Sequence, residues 1–274
     1  MIETQPRSPT PTPRAVPLRA VALPNEHGAW GFWLEPTLLG LLAAFSGAGV
    51  LVALGGLFAM LAQHPLSLVL ADTRRGRAYL RTHLARRVFV LYGGIASFAL
   101  ALAAALGSAW LLAPLALAAP LALVQLHFDR FNRGRALVPE LCGSLAVASL
   151  VAAIVLAAGA SPALAAVLWL LLAGRNLPTI LYVRARLRLE RGAASWREAG
   201  GMPALVAALA AFIAAVMAVA GGMLPPIAAV VFGFLLARAA LGLSSWRRPA
   251  SAKAIGVREM LFGVAVVLLL GLGV

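Results

Sequence analysis

The stretch LPNEHGAWGFWLEPTLLGLLAAFSGAGV, residues 23–50, decides the architecture. It opens on polar residues and two tryptophans, runs into an apolar segment over 29–46, breaks at a Gly/Ser turn and turns apolar again. An apolar segment of about 20 residues is what a helix needs to cross a bilayer. Trp30 and Trp33 stand where the polar segment meets it, the depth that aromatic belts occupy. Asn25 suits a helix cap, and Glu26 suits a first turn, where acidic side chains are favoured. Glu35 fits neither purpose. It lies about two turns inside the apolar run, and anchoring a helix at the interface requires no carboxylate there.

The rest of the 274 residues repeats this pattern. The chain is 62% hydrophobic and 12% charged, with a mean hydropathy of +0.93. A soluble domain is about half apolar and a quarter charged. The composition therefore predicts an all-α integral membrane protein, since a helix satisfies its own backbone polar groups in lipid. Nine apolar stretches are expected to span, at 29–46, 50–71, 88–106, 109–127, 137–159, 162–183, 203–221, 224–243 and 254–273. Residues 1–22, rich in Pro, Thr and Arg, read as a disordered cytoplasmic tail. Residues 23–274 read as one membrane domain. The single cysteine, Cys142, excludes an intrachain disulfide and carries no metal motif.

Charge gives the orientation. The turns after the first, third, fifth and seventh spans hold no Lys or Arg. The other connections hold most of them: DTRRGRAYLRTHLARR, DRFNRGR, VRARLRLERGAASWR and SSWRRPASAK. The positive-inside rule puts these in the cytoplasm, with the N-terminus inside and the C-terminus outside. The net charge of +14 is then mainly an orientation signal, aided by attraction to membrane lipids with anionic head groups. Nucleic acid is not expected as a partner, because the basic loops lack interleaved aromatics.

Intramembrane ionisable groups are functional candidates by default. Here they are Glu35, His64, Glu140, Arg175 with Asn176, Arg238, Arg258 and Glu259, all read into the cytoplasmic half. A polar cavity opening inward follows, in which Glu35, Glu140 and Glu259 pair with Arg175 and Arg238. The bland readings are snorkelling for Arg238, Arg258 and Glu140, a structural ion pair for Glu35 and Arg175, and a bond from His64 to a carbonyl freed by Pro65. His83 and His127 read as ordinary surface residues.

PNEHGAWGFW resembles the opening motif of the YwiC-like family of bacterial membrane proteins. QHPLSLVLADTRRGR, LVPELCGSLA and RNLPTILYVRARLR extend that resemblance. It implies a multi-pass protein of the bacterial inner membrane. Nine spans, with conspicuous segments ending the second and sixth, also resemble the UbiA-type prenyltransferase superfamily. PELCGSLAVA is similar to the GEL segment in the fifth helix of its menaquinone-branch members. That resemblance implies a UbiA-like bundle and a cytoplasm-facing site for an isoprenoid diphosphate, held through magnesium by two Asp-rich motifs. The sequence departs from the pattern there. Only Asp72 remains near the second span, and Arg175, Arg184 and Arg186 stand near the sixth. One carboxylate does not build a paired magnesium cradle. No metal or other cofactor is expected, and metal-dependent prenyl transfer is disfavoured. Arginines bind phosphate directly through bidentate forks.

The leading expectation is a cavity for an isoprenoid or lipid phosphate, an anionic amphiphile. Arg175, Arg184 and Arg186 would bind phosphate. Glu26, His27 and Glu35 would line or gate the entrance, and Glu140 would orient an arginine. His64, Asp72, Asn176 and Arg238 complete the candidate lining. The alternatives are a transporter or proton- or anion-conducting accessory protein, a UbiA-type prenyltransferase with degenerate motifs, and a structural subunit.

Overall fold

A computed structural model describes residues 17–23, 28–77 and 79–273. Glu26 and His27, together with Asn25, lie outside the described residues. Among the described residues every regular element is helical. A one-turn helix, α1 (Arg19–Ala22), is followed by α2 (Gly28–Ala43), α3 (Gly47–Arg74) and α4 (Leu80–Leu106). A 3-10 turn at Ala109–Leu111 leads into α5 (Leu112–Asp129). Then come α6 (Leu137–Ala157), α7 (Pro162–Glu190), α8 (Gly201–Ala220), α9 (Ile227–Leu243) and α10 (Ala252–Gly271). Helices α2 to α10 take up the nine apolar stretches in order.

Seven of these helices are long and apolar enough to cross a membrane: α3, α4, α5 with its leading turn, α6, α7, α8 and α10. The 16-residue α2 and 17-residue α9 are shorter. At 1.5 Å per residue α3 and α7 reach about 42 Å, against a hydrocarbon core of about 30 Å. Helices α2 and α9 reach only about 25 Å.

The starts and stops have local causes. Ser46, Ser161 and Ser251 cap α3, α7 and α10, their hydroxyls accepting from Gly49, Leu164 and Ala254 backbone N–H groups at 2.9, 3.2 and 3.2 Å. Pro162 occupies the first turn of α7, where its missing N–H is not needed. Gly200 precedes α8 with φ +81°, a left-handed conformation open to glycine. Residues 19–22, within the stretch read as tail, form a helical turn instead. Val21 is buried there against Ala85 and Val88 of α4, which explains why the turn is held.

Helix α6 is the hub. It packs against α2, α3, α5 and α7, and most of its residues are buried. Small residues make this approach possible. A Cβ at Gly40 or Gly49 would press on Ile154, and one at Gly56 on Leu150. Val52, Ala103, Leu111 and Ile154 form the core on the α3–α4 side. Leu39, Val151, Leu168, Leu172, Phe232 and Val267 form the core on the other side, joining α2, α6, α7, α9 and α10. The first and last of these nine helices, α2 and α10, pack on each other.

Neighbouring helices alternate in direction. The ends of α3, α5, α7 and α9 thus share one end of the bundle with the starts of α4, α6, α8 and α10. The turns at the opposite end, residues 44–46, 107–108, 158–161 and 221–226, contain no charged residue.

Candidate functional site

The centre of interest is a charged cluster between α2, α7, α9 and α10. Arg175 sits midway along α7 and Glu35 midway along α2. Their side chains are each about 5% exposed, and Arg175 Nη1 lies 2.8 Å from Glu35 Oε2. Arg175 also donates to the side-chain oxygen of Asn176 at 3.1 Å and to the Glu259 carbonyl at 3.2 Å. One helical turn beyond that carbonyl, Gly263 faces the pair. A Cβ there would sit inside both the Glu35 carboxylate and the Arg175 guanidinium. The absence of a side chain on α10 is thus what lets the pair close.

A second ion pair adjoins the first. Arg238 of α9 pairs with Glu259 of α10, both mostly buried. The Arg238 guanidinium lies over the ring of Tyr182 at 4.6 Å and near that of Phe262 at 5.4 Å. Cation–π contact of this kind is strengthened where water is excluded. The cluster holds two carboxylates and two guanidiniums, so its charges balance. Balance is needed, because an unpaired charge in a bilayer costs several kcal/mol.

A cleft reaches this cluster between α7, α8 and α9. It is narrow, with free room of about 10 Å³, enough for about one water molecule. Arg175, Thr179 and Arg238 supply its polar lining; Pro178, Phe232 and Leu235 are among its apolar walls. Arg175 Nε and Arg238 Nε are buried donors without an acceptor. Such groups are rare in folded proteins because each loses its hydration without replacement.

The other predicted residues are placed elsewhere. Glu140 pairs with Arg184 at 2.6 Å, and Arg184 also donates to the Arg135 carbonyl at 3.0 Å. Glu140 thus meets an arginine, although not Arg175 or Arg238. Arg186 is buried, donating to the Gly242 carbonyl at 2.6 Å and to the Arg248 carbonyl, and it pairs with Glu190 at 2.8 Å. It ties the end of α9 and the following loop to α7. Asp72 is fully buried, accepting from Arg81 Nη2 at 2.7 Å, Arg81 Nε at 3.2 Å and the Thr82 hydroxyl at 2.8 Å. That clamp closes the turn between α3 and α4. His64 Nε2 lies 3.2 Å from the Ala20 carbonyl, so its ring meets α1 rather than a carbonyl freed by Pro65.

Glu259 pairs with Arg238, one of the two arginines the sequence offered it. Two members of the cluster, Tyr182 and Gly263, escaped the candidate list. Tyr182 follows Arg175 by seven residues, two turns on, so both lie on one face of α7 with Thr179 and Arg186. Gly263 gave no signal, since a glycine in an apolar helix has many uses. Among the described residues no three His, Cys, Asp or Glu side chains come together as metal ligands would.

The family model described as YwiC-like protein matches residues 23–156, which cover α2 to almost the end of α6. No curated protein matches the chain. No solved structure matches it.

Proposed function

We propose, for a chain whose residues 23–156 are of the YwiC-like family, that the Arg175–Arg238 cleft binds the head group of an anionic amphiphile, an isoprenoid or lipid phosphate, within the bacterial inner membrane. The observation that carries the proposal is the pair of buried guanidiniums. Both line one cleft in an otherwise apolar bundle, and each keeps an Nε–H donor without an acceptor. Guanidinium forks suit phosphate geometry, and a phosphate oxygen would satisfy donors that now have none.

Charge balance sets how the anion is received. The cluster is neutral with Glu35 and Glu259 in place, so an incoming phosphate replaces the Glu259 carboxylate on Arg238. Arg184 and Arg186, each engaged by protein acceptors, hold the helix ends that frame the site.

The proposal includes nine spans in a UbiA-like arrangement, the N-terminus in the cytoplasm and the C-terminus outside. The nine apolar helices and the charge-free turns at one end of the bundle support it. Alkaline phosphatase fused after Val274 should be active in the periplasm, and a fluorescent protein fused after Arg87 should fluoresce in the cytoplasm. The reverse pair overturns the orientation. Binding is proposed to be metal-independent. The only aspartate at the Asp-motif position of α3 is already held by Arg81 and Thr82, and metal-dependent prenyl transfer forms no part of the reading.

The test is native mass spectrometry of the gently purified protein, followed by titration with geranyl phosphate. Wild type should retain a phosphate-bearing amphiphile. Arg238→Gln should lose it, while Arg87→Gln, on the exposed face of α4, should keep it. A wild type that binds neither a co-purified amphiphile nor geranyl phosphate refutes the proposal.

A further inference from the structure

A second cationic site lies away from the cluster, where α3 and α5 end. Phe131 follows α5 by two residues. The guanidinium of Arg74, the last residue of α3, stands 4.3 Å from its ring centroid, and that of Arg130 stands 4.7 Å from it. The ring of His127 packs on Phe131 at 5.3 Å. Both arginines are exposed. Among the described residues neither is paired with a carboxylate. The neighbouring Asp129 is engaged by Gln63 of α3 at 3.1 Å.

This arrangement differs from a generic basic loop in two respects. A guanidinium over an aromatic ring uses its face, which leaves its N–H edge free for a phosphate fork. Both guanidiniums are held against one ring, one from the last residue of α3 and one from the residue that follows α5, so the ring ties the two together. The place itself is also defined. Both α3 and the helical segment ending at Asp129 are long enough to span the membrane, so their shared end lies at head-group depth. The ligand that arrives there unaided is a lipid.

We infer that Arg74, Phe131 and Arg130, with His127 beside them, form a head-group site for an anionic phospholipid. Its phosphodiester bridges the ends of α3 and α5. The lipid completes an attachment between these helices to which the protein contributes the Gln63–Asp129 hydrogen bond.

The site is tested by native mass spectrometry of full-length protein in detergent, titrated with phosphatidylglycerol and with phosphatidylcholine. The variants are Arg74→Gln/Arg130→Gln, and Arg86→Gln/Arg87→Gln as a control that removes the same charge from exposed positions on α4. The first pair should weaken the tightest phosphatidylglycerol site about thirtyfold, given the usual contribution of two arginines at head-group level. The control should change it less than about twofold. Phe131→Leu keeps every charge and should also weaken it, because the guanidiniums lose their common platform. Equal loss from the two double variants overturns the inference, as does phosphatidylcholine binding as tightly as phosphatidylglycerol. Displacement of the lipid by millimolar inorganic phosphate would instead indicate a site for a soluble anion and would also overturn it.

Discussion

Replacing Glu35 by leucine tests whether the central ion pair holds the bundle together. The pair is 2.8 Å apart with both side chains about 5% exposed, so removing one member strands a charge out of reach of water. Breaking a buried pair in this way costs about 3–5 kcal/mol. Arg175 keeps two acceptors, Asn176 Oδ1 and the Glu259 carbonyl, so Glu35→Leu should fall near the lower end, about 3 kcal/mol. Arg175→Met strands the carboxylate and should cost as much or more. The double variant removes both charges and fills similar volume with apolar groups, a change that is often close to neutral. Unfolding by sodium dodecyl sulfate in mixed micelles, followed by circular dichroism, measures all four proteins. The double variant should be more stable than the sum of the singles predicts by at least about 2 kcal/mol. Additivity within about 0.5 kcal/mol would show that the two residues do not depend on each other, and the description of the cluster would be wrong.

Three further outcomes are expected. Gly263→Ala places a methyl group inside the Glu35–Arg175 pair and should destabilise by about 1–3 kcal/mol; Gly256→Ala on the same helix meets open space and should stabilise by about 0.5–1 kcal/mol in the same unfolding assay. Asp72→Ala leaves Arg81 and the buried Thr82 hydroxyl without their acceptor, which should cost about 1–3 kcal/mol and speed trypsin cleavage between Arg74 and Arg77, read by peptide mass. Geranyl phosphate binding should be unchanged by EDTA, and loss that magnesium restores would reveal a metal site.

The apolar helices were legible in the sequence, and so was the need of Glu35 for a basic partner, with Arg175 and Arg238 both on offer and Arg175 the one that meets it. Apolar length announces a helix, and a carboxylate inside lipid demands a cation. Glu35 and Arg175 were each the deepest charge of their sign. The finer assignments failed where helix length was misjudged. Helix α7 runs to Glu190 rather than stopping near 183, so Arg184 and Arg186 extend a rigid helix to the start of α6 and the end of α9. Arg184 there takes the Glu140 that depth alone had offered to Arg175 or Arg238. The role of α6 as hub was not legible either. In a soluble protein the buried face of a helix stands out as an apolar stripe, but here lipid-facing and core-facing positions are both apolar. Leu150 and Val151 are buried while Leu170 and Leu269 are exposed, and nothing in their chemistry tells them apart.

The partition of the cluster among four helices has a consequence for how the protein is made. Glu35 leaves the ribosome 140 residues before Arg175, and Arg238 leaves it 21 residues before Glu259. At about 5–20 residues per second, the first interval lasts about 7–28 s and the second only a few seconds. During the first, α2 must wait with an acid that has not yet met its arginine. During the second, α9 carries an arginine that α10 cannot yet receive. A nascent chain stopped between Leu243 and Ala252 therefore holds Arg238 without the carboxylate that balances it. Its last helix should be a preferred point of recognition for quality-control proteases.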